Sequence, residues 1–252
     1  MAPRRQFLPS AVEAEDVRRG RVEPNYVKVL TRLLAAHALA EKLTAVGYQA
    51  ALEIIGDAPL RATVEKNLAE ERKHARIIYR LLGELGVSEA HADRSLISAV
   101  KSPSFDAPRC FAEHASDQLE LLMASLSLDM TGFMMIGVNY RDSSYAPHAR
   151  AAEEILAEEE DHELFAAGEL ADAAARFGTA SVNNALRKWV PRAANFFGPP
   201  GSGFTGECIR YGLKTRDNGE IAELYLSMLE RRVRQAGLEM PQLSQSYPHT
   251  LV

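Results

Sequence analysis

Apolar residues recur at three- and four-residue spacing through most of this chain, as in helices that bury one face. Nowhere do they alternate as in a half-buried strand. The first pattern spans about Asn25 to Ile55, where Val27, Leu30, Leu34, His37, Ala38, Glu41, Thr44 and Tyr48 share one stripe. Gly56-Asp57-Ala58-Pro59 breaks it. A second helix, about Leu60 to Leu85, puts Val64, Leu68, Glu71, His74, Ile78 and Leu82 on a similar face, with Gly86 as its stop. Ser88 to Phe105 reads as a connection with room for a short helix. Pro108 suits the first turn of a third helix to about Tyr140. Asp142-Ser143-Ser144 then turns the chain, and Pro147 opens a fourth helix to about Arg176, ended by Gly178. Short turns within each pair and a long link between pairs predict a four-helix bundle with a long crossover between helices two and three. The core is expected over about 25–178. A helical extension follows over 179–240: Ser181 to Phe196 interrupted by Pro191, a loop at Gly198 to Gly203, an amphipathic helix from Gly219 to Leu238, and an irregular tail from Pro241. All 252 residues are expected to form one all-α domain.

Leu121 to Val138 is long and apolar enough to border on a membrane span. It holds three hydroxyl side chains and Asp129 near its middle, a charge that would be costly in lipid. A helix buried all round inside the bundle accounts for it better, so no membrane is expected. The net charge of -5 gives no electrostatic reason to expect nucleic acid. Two cysteines, Cys110 and Cys208, are too few and too far apart for a disulfide framework or a thiolate zinc site. Met1 to Asp16 has no apolar core of a secretory signal, so the expected compartment is the cytoplasm.

The candidate chemistry lies in an internal repeat. Glu41 precedes Glu71 and His74; Asp129 precedes Glu159 and His162. Both gaps from the first carboxylate to the Glu-x-x-His pair are 30 residues, and the second triplet is the first shifted by 88. Residues i and i+3 share a helix face, so each Glu and His pair can approach one ion together. A 30-residue gap fits a hairpin that returns to the same height on its neighbour. Docking two such hairpins brings four carboxylates and two imidazoles to the bundle axis, the ligand set of a two-metal carboxylate site. Four buried carboxylates need compensation, and this mixed ligation suits iron or manganese. In the expected arrangement one metal takes Glu41 and His74, the other Asp129 and His162, and Glu71 and Glu159 bridge.

Other residues carry less weight. His37, one turn before Glu41, reads either as a partner that orients a ligand or as a satisfied core histidine. Glu70 and Glu158 also obey the 88-residue shift but point away from the ligands, and read as surface charges. Met130, Phe133 and Met134 suit an apolar substrate pocket, although such spacing more often marks plain core.

These segments resemble the phenylacetyl-CoA epoxygenase catalytic-subunit family, ferritin-like di-iron monooxygenases, from about Tyr26 to Pro241. The resemblance is carried by LAAHALAEKL with His37 and Glu41, by ERKH at 71–74, by Leu128-Asp129 and by YRDSSYAPHARA at 140–151. Glu159 to His162, WVPRAANFFGPP and GLEMP complete it. It implies a ferritin-like fold, two iron ions (Fe/Fe rather than Mn/Fe), O2 as co-substrate, and insertion of one oxygen atom into an aromatic acyl thioester. Implied partners are an electron-donating reductase and a related subunit without a working metal site; a homo-oligomer is the other assembly expected. The reading is therefore a di-iron oxygenase in phenylacetate catabolism that hydroxylates or epoxidises an apolar, acyl-CoA-type substrate. The alternatives are a ferritin-like handler of iron or peroxide without organic substrate, and a non-catalytic partner subunit.

Overall fold

A computed structural model describes residues 6–100 and 113–252, and for 95–100 the backbone only. The described residues hold α1 (Ala14–Arg18), α2 (Pro24–Ala51), α3 (Ala58–Glu84), α4 (Glu89–Val100) and α5 (Gln118–Met134). After them come α6 (Ala146–Phe177), α7 (Thr179–Ala194), α8 (Gly203–Arg210) and α9 (Asn218–Gln235). No strand occurs among the described residues; Val12 and Tyr145, and Leu243 and Leu251, make isolated bridges. The fold is all-helical and ferritin-like.

Local chemistry sets the helix ends. Proline opens α2, α3 and α6, where a missing N–H costs nothing. Asp57 caps α3 by accepting from Leu60 N at 2.8 Å, and Asp117 caps α5 by accepting from Glu120 N at 2.8 Å. The Asp117 cap moves the start of the third bundle helix to Gln118, against the expected start at Pro108. Pro108 and Cys110 lie outside the described residues. Two further expectations are corrected. Pro191 does not break its helix: α7 runs through it, because it falls in the last turn, where buried Trp189, Val190, Ala193 and Ala194 hold the backbone in place. The Gly198 to Gly203 loop is shorter than expected, since Ser202 caps α8 by accepting from Thr205 N at 3.3 Å.

The bundle is two hairpins, α2 on α3 and α5 on α6, joined where α3 lies against α6. The expected stripes are largely the buried ones: Leu30, Leu34, His37, Ala38, Glu41 and Tyr48 on α2, where Val27 and Thr44 are only half-buried, and Val64, Leu68, Glu71, His74, Ile78 and Leu82 on α3. Gln118 to Tyr140 is long and apolar enough to cross a membrane, but 72% of its 18-residue apolar stretch is buried inside the protein. Its last six residues, Met135–Tyr140, widen into a π-helical turn. The extension packs on the second hairpin: α7 on α5 and α6, α9 on α5. Arg232 of α9 grips the buried Glu163 of α6 with two bonds of 3.1 Å, next to His162.

Candidate metal centre

The helix pairing carries the repeat to one place. Glu41 on α2, Glu71 and His74 on α3, and Glu159 on α6 each present an atom such that all four lie within 4.8 Å of one another. His162 joins them through Nδ1, 3.5 Å from Glu71 Oε1. Asp129 stands at the edge of this group, where Tyr48 donates its hydroxyl to Oδ2 at 2.7 Å. All six side chains are buried.

The cluster can hold metal ions, and its unfilled atoms show where. His74 Nδ1, His162 Nδ1 and Glu71 Oε2 are buried without a hydrogen-bond partner. His74 Nδ1 is 3.3 Å from Glu159 Oε1 and 3.7 Å from Glu41 Oε2, without hydrogen-bond alignment. An orphaned buried polar atom costs free energy comparable to a lost hydrogen bond. Here three converge among carboxylates, which fits ions taking those atoms as ligands.

The opposite nitrogen of each imidazole is held. His74 Nε2 bonds Glu158 Oε2 at 2.8 Å, and His162 Nε2 bonds Glu70 Oε2 at 2.9 Å. Each histidine thus donates to the facing hairpin, and the exchange is symmetric under the 88-residue shift. A carboxylate on one imidazole nitrogen fixes the tautomer and leaves the other lone pair for a metal. Lys73 donates to Glu158 Oε1 at 2.7 Å, and Lys66 lies 3.6 Å from Glu70. The expectation that Glu70 and Glu158 are surface charges is therefore corrected. They lie in the seam between α3 and α6, and only that packing reveals their partners. Glu158→Gln keeps an acceptor but loses the charge, and is expected to lower metal affinity by about 10- to 100-fold. Competition against a chelator measures this, alongside an unfolding curve little changed from wild type.

His37 Nε2 meets Glu41 Oε1 at 2.7 Å, a contact that both of its readings allow. Gly132 lies one turn after Asp129, in phase with it. A Cβ there would stand 2.6 Å from Glu159 Oε2. Only the approach of α6 to α5 creates that demand.

Crowding perturbs the ionisation of the metal-free cluster. Burial, then the charges of Glu159 and Glu41, push Glu71 well above the usual carboxylate range. Burial raises Asp129 to about 7 against the pull of His162 and Tyr48. Burial also works against the charged forms of Glu41 and His74. The hydrogen bond from His37 and the nearby His74 nevertheless carry Glu41 below its ordinary value. Glu159 and Glu41 raise His74 to about 10. Without metal the cluster therefore holds protons that cations would replace.

A cavity of about 60 Å³ opens beside Asp129, lined by Leu43, Tyr48, Ala124, Ser125, Leu128 and Trp189 among others. Met130, Phe133 and Met134 are not in that lining; Met130 and Met134 are buried in the core and Phe133 packs against it. The reason is rotation about α5, whose Leu121, Ala124, Ser125 and Leu128 occupy the face turned to the cavity. The cavity is well below the roughly 150 Å³ that takes a benzene ring. It has room for water or a diatomic gas, not for an aromatic ring.

Fold and site define a class: ferritin-like helical proteins with a buried carboxylate and imidazole cluster able to hold metal ions. Within that class the chain belongs to the phenylacetic acid catabolic protein family, whose model matches residues 21–249. No curated protein matches the chain significantly.

Proposed function

We propose that this protein is the catalytic, di-iron subunit of an oxygenase in phenylacetic acid catabolism. The observation that carries the reading is the convergence of His74 Nδ1, His162 Nδ1 and Glu71 Oε2, all unfilled, on a nest of buried carboxylates. A related subunit that had lost its metal would have little reason to keep four such carboxylates buried. Glu41 and His74 would hold one iron, Asp129 and His162 the other, with Glu71 and Glu159 between them. When bound, two irons supply the activation of O2 and the transfer of one oxygen atom to substrate. The chain's own residues do the rest. Glu158 and Glu70 hold the imidazoles in one tautomer, and His37 and Tyr48 each occupy one oxygen of a terminal carboxylate. Leu43, Leu128 and Trp189 line the small cavity on the Asp129 side.

Membership of a phenylacetic acid catabolic family supports an aromatic acyl substrate of the phenylacetyl type, here as its CoA thioester. Electrons come from a separate reductase, and a related non-catalytic subunit completes the assembly.

The test is anaerobic loading with ferrous iron. Two irons per chain are expected, with an iron-dependent optical band when O2 is added. Supplied with a reductase, phenylacetyl-CoA should gain one atom from labelled O2. Lack of stoichiometric iron would sink the reading. Rapid iron oxidation that needs no organic substrate and ends in a mineral core would replace it with iron handling.

A further inference from the structure

Residues 143–149 are all buried, although none of their side chains belongs to the metal cluster. Their turn is clamped from both ends of the chain. Ser10 N donates to Ser143 O at 2.8 Å, Val12 N to Ser144 O at 2.9 Å, and Ser144 N to Gly212 O at 2.7 Å. Ser144 Oγ also donates to Tyr211 O at 2.7 Å. The clamp sets the first turn of α6 and places His148, fully buried, behind His37. His148 Nε2 lies 3.0 Å from His37 Nδ1. The Tyr140 ring packs on both imidazoles, its centroid 4.8 Å from each. His148 Nδ1 is buried without a hydrogen-bond partner.

One proton lies between the two facing nitrogens, and its owner follows from the surroundings. If His37 Nδ1 donated, His148 Nε2 would accept. A neutral His148 would then carry its proton on Nδ1, as an orphaned buried N–H. Such donors are rarer than under-satisfied acceptors. His37 would also have to be a buried cation to keep donating to Glu41, or else turn a lone pair towards a carboxylate oxygen. If His148 Nε2–H donates instead, each N–H of the pair has an acceptor and the only unfilled atom is a lone pair. Burial pushes His148 well below its ordinary range, so the neutral form is the one present.

We propose that His148 is a positioning residue of the metal centre: its Nε2–H holds His37 in the tautomer whose own Nε2–H occupies Glu41 Oε1. Glu41 Oε2, the oxygen facing His74 Nδ1, is then the one atom Glu41 offers to an ion. The other half of the repeat uses a different device. Ser125 occupies the position equivalent to His37 after the 88-residue shift, and its hydroxyl reaches not Asp129 but Tyr48, at 3.5 Å. The two metal positions are therefore backed by unlike chemistry, an imidazole pair on one side and a phenol on the other.

The inference rests on reading the cluster as a metal centre, and the experiment separates the two. Nitrogen-15 NMR of histidine-labelled, metal-free protein reports the tautomers directly. A proton on His148 Nε2 and a bare Nδ1 are expected; the reverse overturns the proposal, whatever the metal content. Zinc, a diamagnetic probe, is then titrated into wild type and two variants. His148→Leu removes the donor and should weaken one of the two zinc positions by about 10-fold. His148→Gln, whose amide can donate to His37 Nδ1, should stay within about threefold of wild type. Equal losses in both variants would reduce His148 to packing and overturn the proposal, as would two wild-type affinities in a folded His148→Leu. If His148→Leu does not fold, the tautomer and the His148→Gln affinities decide. If wild type binds no metal, the di-metal reading fails, and this role falls with it even where the tautomer is as expected.

Discussion

Glu71→Gln is expected to cut metal occupancy to at most one ion per chain and substrate oxidation by more than about 100-fold. The metal-free variant should nevertheless melt at or above the temperature of the metal-free wild type. Both halves of that result have one cause. Glu71 sits among Glu41, Glu159 and Asp129, and its Oε2 has no partner. Burying a carboxyl against like charges is unfavourable unless a cation compensates. Glutamine has the same shape without the charge, so it relieves the empty cluster while removing a ligand atom between the two metal positions. A structural ion-pair network would behave oppositely: loss of one carboxyl would strand its partners and lower the melting temperature. Metal analysis, differential scanning calorimetry and turnover on one preparation decide the matter. A clear destabilisation of the metal-free variant would count against a metal-built cluster.

The second large effect is on the pH dependence of stability. Asp129 has an ordinary value of 3.8, raised to about 7 in the fold. Between these limits the folded state binds more protons than the unfolded chain, so stability falls as pH rises. Glu71 is raised too and acts with the same sign. His74 goes from 6.5 to about 10, so its contribution is fully present below 6.5 and is lost as pH rises through 10. All three groups therefore weaken the metal-free protein progressively between about pH 5 and 9. Metal ions replace those protons, so loading should release protons and flatten the decline. Melting temperatures of loaded and metal-free protein, taken from pH 5 to 9, should diverge steadily towards the alkaline end. A constant gap would mean that the cluster exchanges no protons for metal.

The helices were legible in the sequence because burial of one face imposes a 3.6-residue period that needs no knowledge of the neighbours. The Leu30–Leu34–Ala38–Glu41–Tyr48 stripe reads the same before and after folding. The 88-residue repeat likewise brought out Glu41, Glu71, His74, Asp129, Glu159 and His162, since matched hairpins require matched spacing. Helix ends were less legible. Asp117 caps α5 with a local bond that an apolar periodicity does not register. Pro191 sits within α7 because tertiary packing outweighs its missing N–H.

Of what surrounds the cluster only His37 was legible, although other signals were present. Glu70 and Glu158 obey the repeat as strictly as the ligand candidates, yet a helix wheel turns them outward. They became partners of His162 and His74 only when α3 met α6. His148, Tyr48 and Gly132 gave no individual signal, because each acts on a residue distant in sequence.

By itself, the sequence determined the all-helical bundle, the six candidate ligands and the family, all of which depend on period, spacing and residue type. Only the tertiary structure decided which imidazole nitrogen is free, which carboxylate oxygen is occupied, and which face of α5 borders the cavity. Those depend on the approach and rotation of one helix against another, and a hydrogen bond across that seam is made or lost within about an ångström.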